Sequence, residues 1–386
     1  MVMIPYGRQD ITDADVEAVQ AVLKSDFLTQ GPEVAAFEAA LCAHTGASCA
    51  VAVNSATSAL HIACLALDLG PGDALWTSPI TFVASANCAR LCGAGVDFVD
   101  IDRDTLNMSA ERLEEKLARV KREGGRLPKV VVPVHLCGLS CDMATIGDLA
   151  KTYGFRVIED ASHAIGGRYQ GVPVGACSHS DITVFSFHPV KIVTTAEGGA
   201  ALTNNPMLAA RMERLRTHGV TKDTARMTCQ SKEPWYYQQI ELGLNYRMTD
   251  IHAALGRSQL TRLEAYVAQR NALADRYDLA FETCALRHQA RPNWAYSAFH
   301  LYVIRIAEAE KRRAIFEALH AMGIGVNVHY IPVHLQPYYQ DLGFRPGDYP
   351  EAEQYYDGAI SLPLFPTMTE ARQDMVIAAV RQLLVT

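Results

Sequence analysis

The first two-thirds of the chain alternates short apolar runs with segments of helical periodicity. Strands are predicted for CAVAV at 49–53, ALWTS at 74–78 and GVDFVDI at 95–101, and helical patterns separate them. The later runs KVVVPV, FRVIED and DITVFSF are also short and apolar and are predicted to be strands as well. Strands that are apolar throughout, with helices between them, are typical of a mostly parallel sheet covered on both faces. We therefore predict an α/β fold with a large, mostly parallel sheet.

The pattern changes near residue 249. One long helix is predicted over 249–282, and a strand at 300–306 and helices at 309–324 and 369–385 follow it. This order indicates a smaller α+β unit, and 386 residues are long for a single core. The predicted division is an N-terminal arm (1–13), a large α/β domain (14–250), and a long linking helix with a small C-terminal α+β domain (251–386).

The composition excludes several kinds of partner. The net charge is −7 at pH 7 with scattered lysines and arginines, so no nucleic-acid-binding surface is expected. The first residues lack the pattern of a signal peptide, and no apolar run approaches the length of a membrane span, so no membrane partner is expected. Ten cysteines lack the spacing of a zinc or disulfide framework, which indicates buried thiols in a reducing cytoplasm.

Asp160 ends the buried run RVIED. Ligands of open α/β sheets bind outside the carboxyl ends of the strands, where this carboxylate is expected to lie. A carboxylate in that place can pair with a protonated ring nitrogen of a cofactor. Taken alone, Asp160 is better explained as the N-cap of the following turn, ASHA.

Lys191 follows the next apolar run and precedes a Gly-Gly segment that returns as GGAALTN. A lysine held on rigid structure in apolar surroundings has a lowered pKa and becomes a nucleophile. A surface lysine is the ordinary alternative. About thirty residues separate Asp160 from Lys191, which corresponds to one crossover and one strand, so both are expected at the same sheet edge.

Two further segments are expected near that edge. In NSATSAL at 54–60 a strand gives way to a helix, and free backbone N–H groups and hydroxyls at a helix start can bind an anion such as phosphate. Phe82, in PITFVAS, is expected to open the helix after the next strand and could stack on an aromatic ring. Simple helix capping and a core phenylalanine remain the alternatives for these two segments.

Other chemistries lack their sequence patterns. No Gly-x-Gly-x-x-Gly turn follows a strand, as an NAD oxidoreductase requires, and no Gly-x-Ser-x-Gly elbow indicates a serine hydrolase. His329 and His334 have no third ligand at a matching spacing, so no metal is expected.

Taken together, NSATSAL, PITFVAS, PVHLCGLSCDM, VIEDASHAIG, FSFHPVKIVTTAEGG and LNYRMTDIHAALG resemble the DegT/DnrJ/EryC1/StrS family of sugar aminotransferases. The resemblance covers nearly the whole chain in order. It implies the fold-type I architecture of aspartate aminotransferase, pyridoxal 5'-phosphate (PLP, with its aminated form PMP) as cofactor, and a homodimer with shared active sites. Members that dehydrate their sugar carry histidine at the Lys191 position, so the lysine here implies transamination.

The resemblance also implies roles for individual residues. Lys191 would be the Schiff-base lysine and Asp160 the partner of the ring nitrogen, while Asn245 would reach the phosphate of the neighbouring subunit's cofactor. The remaining cofactor contacts would come from Ala56 and Thr57 (backbone N–H groups to the phosphate), Phe82 (ring stacking), His163 (near the ring hydroxyl) and Ser186 (phosphate).

The segments PYGRQDIT, LTQGP and NVHYIPVHLQPYY resemble one branch of that family, the aminotransferases of pseudaminic acid biosynthesis. This implies amination at carbon 4 of a UDP-linked 4-keto-6-deoxy-N-acetyl sugar with L-glutamate as donor. Tyr6, Gln30, His329 and Tyr330 would then lie near the nucleotide sugar. A TDP or GDP keto sugar as substrate, or a non-enzymatic PLP-binding regulator on the same fold, remains open at this point.

Overall fold

The structure is a computed structural model that describes residues 3–229, 231 and 233–385. Within these residues the α-helices are α1 (Asp13–Leu23), α2 (Pro32–Thr45), α3 (Ala56–Ala66), α4 (Ala84–Leu91), α5 (Ala110–Arg122), α6 (Met143–Tyr153), α7 (Pro206–Leu215), α8 (Asp250–Leu260), α9 (Leu263–Phe281), α10 (Arg312–Ala321), α11 (Pro337–Asp341), α12 (Pro350–Gly358) and α13 (Glu370–Val385). The strands are β1 (Cys49–Val53), β2 (Ala74–Thr77), β3 (Gly95–Phe98), β4 (Val130–Val132), β5 (Arg156–Asp160), β6 (Arg168–Tyr169), β7 (Val172–Pro173), β8 (Ile182–Ser186), β9 (Gly199–Thr203), β10 (Val220–Thr221), β11 (Gln238–Gln239), β12 (Leu286–His288), β13 (Ala295–Tyr296), β14 (Tyr302–Ile306) and β15 (Ala359–Leu362).

A seven-stranded sheet in the order β1-β9-β8-β5-β4-β2-β3 forms the centre of the fold. The five strands from β8 to β3 are parallel, and β9 runs antiparallel to both β8 and β1. Along β1, Val51 and Val53 belong to one apolar core, whereas Ala50 and Ala52 belong to another on the opposite face. Because consecutive residues of a strand face opposite sides, both faces of the sheet are buried under helices, and the predicted α/β fold is confirmed.

The helices cover the two faces in two groups. On one face, α3, α4 and α7 pack against the sheet, and on the other, α2 and α8 do so. Helix α3 begins at a polar cap close after β1: the side chain of Ser55 accepts the backbone N–H of Ser58 in the first turn. This short connection places the first turn of α3 at the carboxyl edge of the sheet.

The prediction of one long helix over 249–282 is wrong, because the chain breaks between α8 and α9. Arg262 leaves the helical conformation with φ −108° and ψ 5°, and Thr261 Oγ1 donates a hydrogen bond back to the carbonyl of Ser258 at 2.6 Å. The guanidinium of Arg262 binds the buried carboxylate of Asp15 at 2.6 Å, and Asp15 also completes the capping box of α1. This ion pair between distant segments fixes the break, and apolar periodicity carries no signal of it.

The C-terminal part is built on a three-stranded antiparallel sheet, β12-β14-β15. Helices α9, α10 and α13 pack on it in a third core, which Ile4 of the N-terminal arm also enters. The arm is held there because Ile4 forms a β-bridge with Ile324. No helix in the described part of the chain is long and apolar enough to cross a membrane.

Arg270 of α9 ties this part together from the inside. Its side chain is 1% exposed, and its Nη1 donates to the carbonyls of Phe299, His300 and Leu364 at 3.0–3.2 Å. Burial lowers the pKa of Arg270 to about 10, so the guanidinium still carries its charge at neutral pH. The side chain therefore joins α9 to the segments that enter β14 and leave β15.

We expect Arg270→Ala to lower the free energy of unfolding of the cofactor-free protein by about 3 to 5 kcal/mol, because it leaves three buried carbonyl groups unpaired beside a new cavity. Urea unfolding followed by circular dichroism measures this change. Arg313→Ala, which removes an arginine whose side chain is 87% exposed, is the matched control and should leave the midpoint unchanged. Equal midpoints for the two variants would contradict this assignment.

Candidate active site

One cavity of about 410 Å³ opens at the carboxyl ends of β1, β8 and β5. Its volume lies in the range of small-molecule and cofactor sites. Residues from eight separated segments line it: Tyr6, Ser55, Ala56, Thr57, Leu60, Thr81, Phe82, Ala84, Val134, Asp160, Ser162, His163, Ser186, His188, Val190, Lys191, Glu197, Gly198, His300, His329 and Tyr330. The carboxyl edge of the sheet thus brings together most of the site residues that the sequence predicts.

Asp160 is the last residue of β5 and is 5% exposed at the cavity wall. Its Oδ2 accepts a hydrogen bond from Ser85 Oγ at 2.6 Å, and its Oδ1 accepts one from the backbone N–H of Ser162 at 3.1 Å. Asp160 therefore caps the following turn, which is the alternative role that the sequence allows. This contact uses only Oδ1 of the carboxylate. The carboxylate still lines the cavity.

The neighbouring carboxylate, Glu159, faces the other side of the sheet. It accepts hydrogen bonds from Ser180 Oγ at 2.5 Å and Thr183 Oγ1 at 3.0 Å, and its Oε2 lies 2.8 Å from His135 Nε2. Since His135 Nδ1 accepts the backbone N–H of Cys141, Nε2 carries the proton that it donates to Glu159. This network joins β4, β5 and β8 behind the cavity.

Lys191 lies between β8 and β9, on the segment that connects these two antiparallel strands. It is half-buried and shares the cavity with Asp160. Burial lowers the pKa of Lys191 to about 8, against the opposing effect of the negative charge of Asp160. About a tenth of the amine is therefore unprotonated at pH 7, far more than for a lysine with the ordinary pKa of 10.5, and the unprotonated form is the nucleophile.

Three buried histidines surround this amine. Burial, together with the nearby charge of Lys191, lowers the pKa of His329 to about 4 and the pKa values of His163 and His300 well below the usual range. His163 Nε2 lies 3.2 Å from the hydroxyl of Tyr330, while Nδ1 of His163 and Nδ1 of His300 have no hydrogen-bond partner in the described structure. Neutral imidazoles with free nitrogens are available to a ligand.

The opposite end of the cavity has the features of an anion site. Helix α3 starts there, with Ser55 as N-cap, so the backbone N–H groups of Ala56 and Thr57 point outward without intrahelical partners. Ser186, the last residue of β8, adds a hydroxyl. A Cβ on Gly199 would lie 2.5 Å from the nitrogen of Ala56, so only glycine lets β9 approach the start of this helix.

Aromatic side chains form the mouth of the cavity. Phe82 is 59% exposed, and its ring centroid lies 6.2 Å from that of Tyr330. Helix α4 begins at Ala84, two residues later than the sequence prediction that Phe82 opens it. Tyr6 of the N-terminal arm lies 5.3 Å from the ring of His329, so the arm contributes to the same mouth.

Two predicted site residues do not line this cavity. Gln30 lies exposed in the turn before α2, with a positive φ of 56°. Asn245 is exposed and forms a β-bridge with Thr217. Their proposed contacts with substrate and with a neighbouring subunit's cofactor stay predictions.

Sequence reasoning missed Thr81, Ser85 and His300. Ser85 and Thr81 lie in the segment PITFVAS, in which the sequence predicts a site role for Phe82 alone. That they belong to the site is shown by the hydrogen bond of Ser85 to Asp160, which is 75 residues away in the sequence. His300 begins the predicted strand HLYVIRI, where a histidine is not distinguishable from a core residue. The unpartnered Nδ1 of His300 in the cavity wall is visible only in three dimensions.

Comparison with known proteins gives a consistent result. A sequence profile of the DegT/DnrJ/EryC1/StrS aminotransferase family matches residues 9–381. The spore coat polysaccharide biosynthesis protein SpsC of Bacillus subtilis is 38% identical over 391 residues, which cover 98% of this chain and 97% of SpsC.

Solved structures give the same picture. The sugar aminotransferase Spr1654 of Streptococcus pneumoniae in its PMP form superposes with a TM-score of 0.89 at 32% identity, with 98% of each chain covered, and a PLP form is also known. PseC of Helicobacter pylori, an aminotransferase involved in the biosynthesis of pseudoaminic acid, has a TM-score of 0.90 at 31% identity with 99% of each chain covered. The architecture is that of fold-type I PLP-dependent transferases.

The residues of the cavity fit pyridoxal phosphate. The cofactor needs an amine for its aldehyde, an acid for its ring nitrogen, a neighbour for its ring hydroxyl and N–H donors for its phosphate. Lys191 and Asp160 supply the first two, the unpartnered Nδ1 of His163 is available for the third, and the start of α3 supplies the fourth.

We expect the Lys191 amine of the cofactor-free protein to titrate near pH 8 instead of near its ordinary value of 10.5, because burial penalises its charged form. Below that pH the amine is protonated and unreactive, and above it the amine reacts. Asp160→Asn removes a charge that raises this pKa, so it should move the midpoint to lower pH. Acylation rates at Lys191 over a pH series, read by mass spectrometry with exposed Lys151 as internal reference, measure both midpoints. A wild-type midpoint near 10.5 would contradict the expectation.

Proposed function

Because the chain belongs to the DegT/DnrJ/EryC1/StrS aminotransferase family and uses pyridoxal phosphate, we propose that it transfers an amino group from L-glutamate to a UDP-linked 4-keto sugar. The substrate we propose is UDP-2-acetamido-2,6-dideoxy-β-L-arabino-hex-4-ulose, which is aminated at carbon 4 in pseudaminic acid biosynthesis. The similarity to PseC over 99% of the chain supports this choice.

One observation carries the proposal: the amine of Lys191, on the segment after β8, and the carboxylate of Asp160, at the end of the neighbouring strand β5, line the same cavity. When bound, pyridoxal phosphate supplies an electron sink for the charge that develops when a proton leaves carbon. Asp160 pairs with the ring nitrogen and keeps that sink effective. A chain with these groups in separate regions could not perform the reaction.

Lys191 has two tasks in this proposal. Its Nζ would hold pyridoxal phosphate through a covalent bond to the aldehyde carbon. When it is free, Nζ, with its lowered pKa, would act as general base and acid, and would remove a proton from the α-carbon of glutamate in one half-reaction and return a proton to carbon 4 of the sugar in the other. Water would release the keto acid between the two half-reactions, so a ping-pong scheme is expected.

The other cavity residues bind and orient. The N–H groups of Ala56 and Thr57 and the hydroxyl of Ser186 bind the phosphate, and Phe82 stacks on the ring. The neutral side chain of His163 lies by the ring hydroxyl. This assignment follows from the two ends of the cavity, one with helix N–H groups and one with acid and imidazoles.

The keto sugar is proposed to enter at the aromatic mouth, near Tyr6, His329 and Tyr330, with Gln30 contributing from the surface. The ring of His329 is oriented from behind, because its Nδ1 lies 2.8 Å from Ser361 Oγ and its carbonyl accepts the hydroxyl of Tyr355 at 2.5 Å. SpsC, which is named for spore coat polysaccharide biosynthesis, is 38% identical to this chain and PseC 31%. The higher identity to a protein of another pathway supports a second candidate, an aminotransferase for a different nucleotide keto sugar, for which TDP and GDP sugars are the alternatives.

We propose a homodimer in which Asn245 reaches the cofactor of the neighbouring subunit. The segment before Asn245 displays large apolar side chains to solvent, including Trp235 (73% exposed) and Leu242 (84% exposed). Apolar groups in this number at one segment are expected to be covered by another subunit. We also propose a cytoplasmic location, since all ten cysteines are free thiols.

Replacing Lys191 by alanine should abolish the visible absorbance of the lysine-bound cofactor and reduce turnover to background, since no other amine lines the cavity among the described residues. Absorbance spectra after addition of pyridoxal phosphate and an amino-transfer assay with glutamate measure the two effects. Lys151→Ala, at an exposed lysine on α6, is the control and should behave as the wild type. Full turnover by the Lys191 variant would overturn the proposal.

A panel of UDP, TDP and GDP 4-keto sugars, scored for amine formation by mass spectrometry, tests the substrate. We expect the UDP-linked N-acetyl 4-keto sugar to be aminated fastest at equal concentration. Faster amination of a TDP or GDP sugar would select the second candidate. Binding of the cofactor without amination of any sugar would instead support a PLP-binding regulator.

A further inference from the structure

Two buried hydroxyl groups lie behind the proposed partner of the ring nitrogen. We infer that Ser85 and Thr81 form a relay that positions the Asp160 carboxylate toward the cavity. The inference rests on the proposed use of Asp160 by the cofactor, and it assigns Ser85 and Thr81 as positioning residues for the reaction.

The distances define a single chain of hydrogen bonds. Ser85 Oγ lies 2.6 Å from Asp160 Oδ2 and 2.7 Å from Thr81 Oγ1, and both hydroxyl side chains are at most 2% exposed. A carboxylate only accepts, so the single proton of Ser85 goes to Asp160. Ser85 must then accept from Thr81, whose hydroxyl proton completes the chain. The other acceptor within reach of Ser85, the carbonyl of Phe82 at 3.4 Å, is too distant to compete.

The rest of Asp160 is fixed as well. Its Oδ1 accepts the N–H of Ser162, its own N–H donates to the carbonyl of Pro133 at 2.9 Å, and its carbonyl accepts the N–H of His135 at 3.0 Å. Backbone bonds hold the Cα, and the Ser162 N–H holds one oxygen. Ser85 is the contact from a separate element that stops the carboxylate from rotating about its last bond.

Hydroxyl-to-carboxylate bonds of this length are charge-assisted and about twice as strong as neutral ones. A second hydroxyl behind the first polarises it and strengthens the bond further. Ser85 also lies in the first turn of α4, three residues after Phe82, so one short segment positions both the Asp160 carboxylate and the aromatic ring at the cavity mouth. The relay therefore aligns two sides of the cofactor site together.

The test uses the full-length protein loaded with pyridoxal phosphate. Ser85→Ala removes the hydroxyl, and Thr81→Val removes the second hydroxyl while it keeps the side-chain shape. Thr77→Val is the matched control, because it deletes a buried hydroxyl that donates to the Val132 carbonyl at 2.8 Å and does not reach Asp160. The readouts are the dissociation constant for pyridoxal phosphate, the visible circular dichroism of the bound cofactor, the unfolding midpoint, and kcat and KM.

We expect Ser85→Ala to weaken cofactor binding by about tenfold, to lower kcat by about tenfold with little change in KM for the keto sugar, and to reduce the visible dichroism. Thr81→Val should change the same quantities in the same direction but by smaller amounts, because Thr81 acts on Asp160 only through Ser85. Thr77→Val should affect the unfolding midpoint alone. This split separates positioning from a merely structural role.

The failures are distinguishable. Wild-type cofactor affinity and visible dichroism in both Ser85→Ala and Thr81→Val would overturn the relay and leave the proposed function intact. A wild-type protein without a Lys191-dependent visible band would overturn the proposed function and the relay with it. If Ser85→Ala does not fold, the folded Thr81→Val variant decides by the same readouts.

Discussion

The pairing of β5 with β8 is the constraint on which the site depends. Parallel hydrogen bonding aligns Asp160 with Val184, so the chain that leaves β8 two residues later starts beside the acid. The return strand β9 then pairs Ser186 with Gly199, which pins both ends of the segment that carries Lys191. Amine, acid and the start of α3 converge because backbone pairing leaves their strands no other order.

The electrostatics of the cavity follow from burial. Water is largely excluded from the walls, so the imidazoles of His163, His300 and His329 remain neutral, and their pKa values are further depressed by the neighbouring amine. Lys191 is desolvated too, but the opposite charge of Asp160 limits the fall of its pKa. Among the described residues that line the cavity, Lys191 is thus the amine whose pKa is brought close to neutral pH, while the three imidazoles stay uncharged.

Local patterns predicted much of this arrangement, and long-range contacts explain the rest. Apolar runs predicted the strands, and the strand ends predicted Asp160, Lys191 and the anion site after β1. The break of the predicted long helix depends on an ion pair of Arg262 with Asp15, and the place of Ser85 depends on the hydrogen bond between the first turn of α4 and the end of β5. Such contacts join residues far apart in the sequence, and no periodicity of either partner contains them.

The two acids at the end of β5, Glu159 and Asp160, also help to determine the register of the strand. Glu159 accepts hydrogen bonds from two hydroxyls and an imidazole on the side of the sheet away from the cavity. Asp160 accepts hydrogen bonds from the Ser85 hydroxyl and the Ser162 N–H on the side of the cavity. A slip of one position would bring Ile158 or Ala161 to the place of one acid and would leave the buried donors on that side without an acceptor. A strand in the wrong register is therefore penalised by unpaired buried groups, and the two adjacent acids favour the alignment that places Asp160 in the cavity wall.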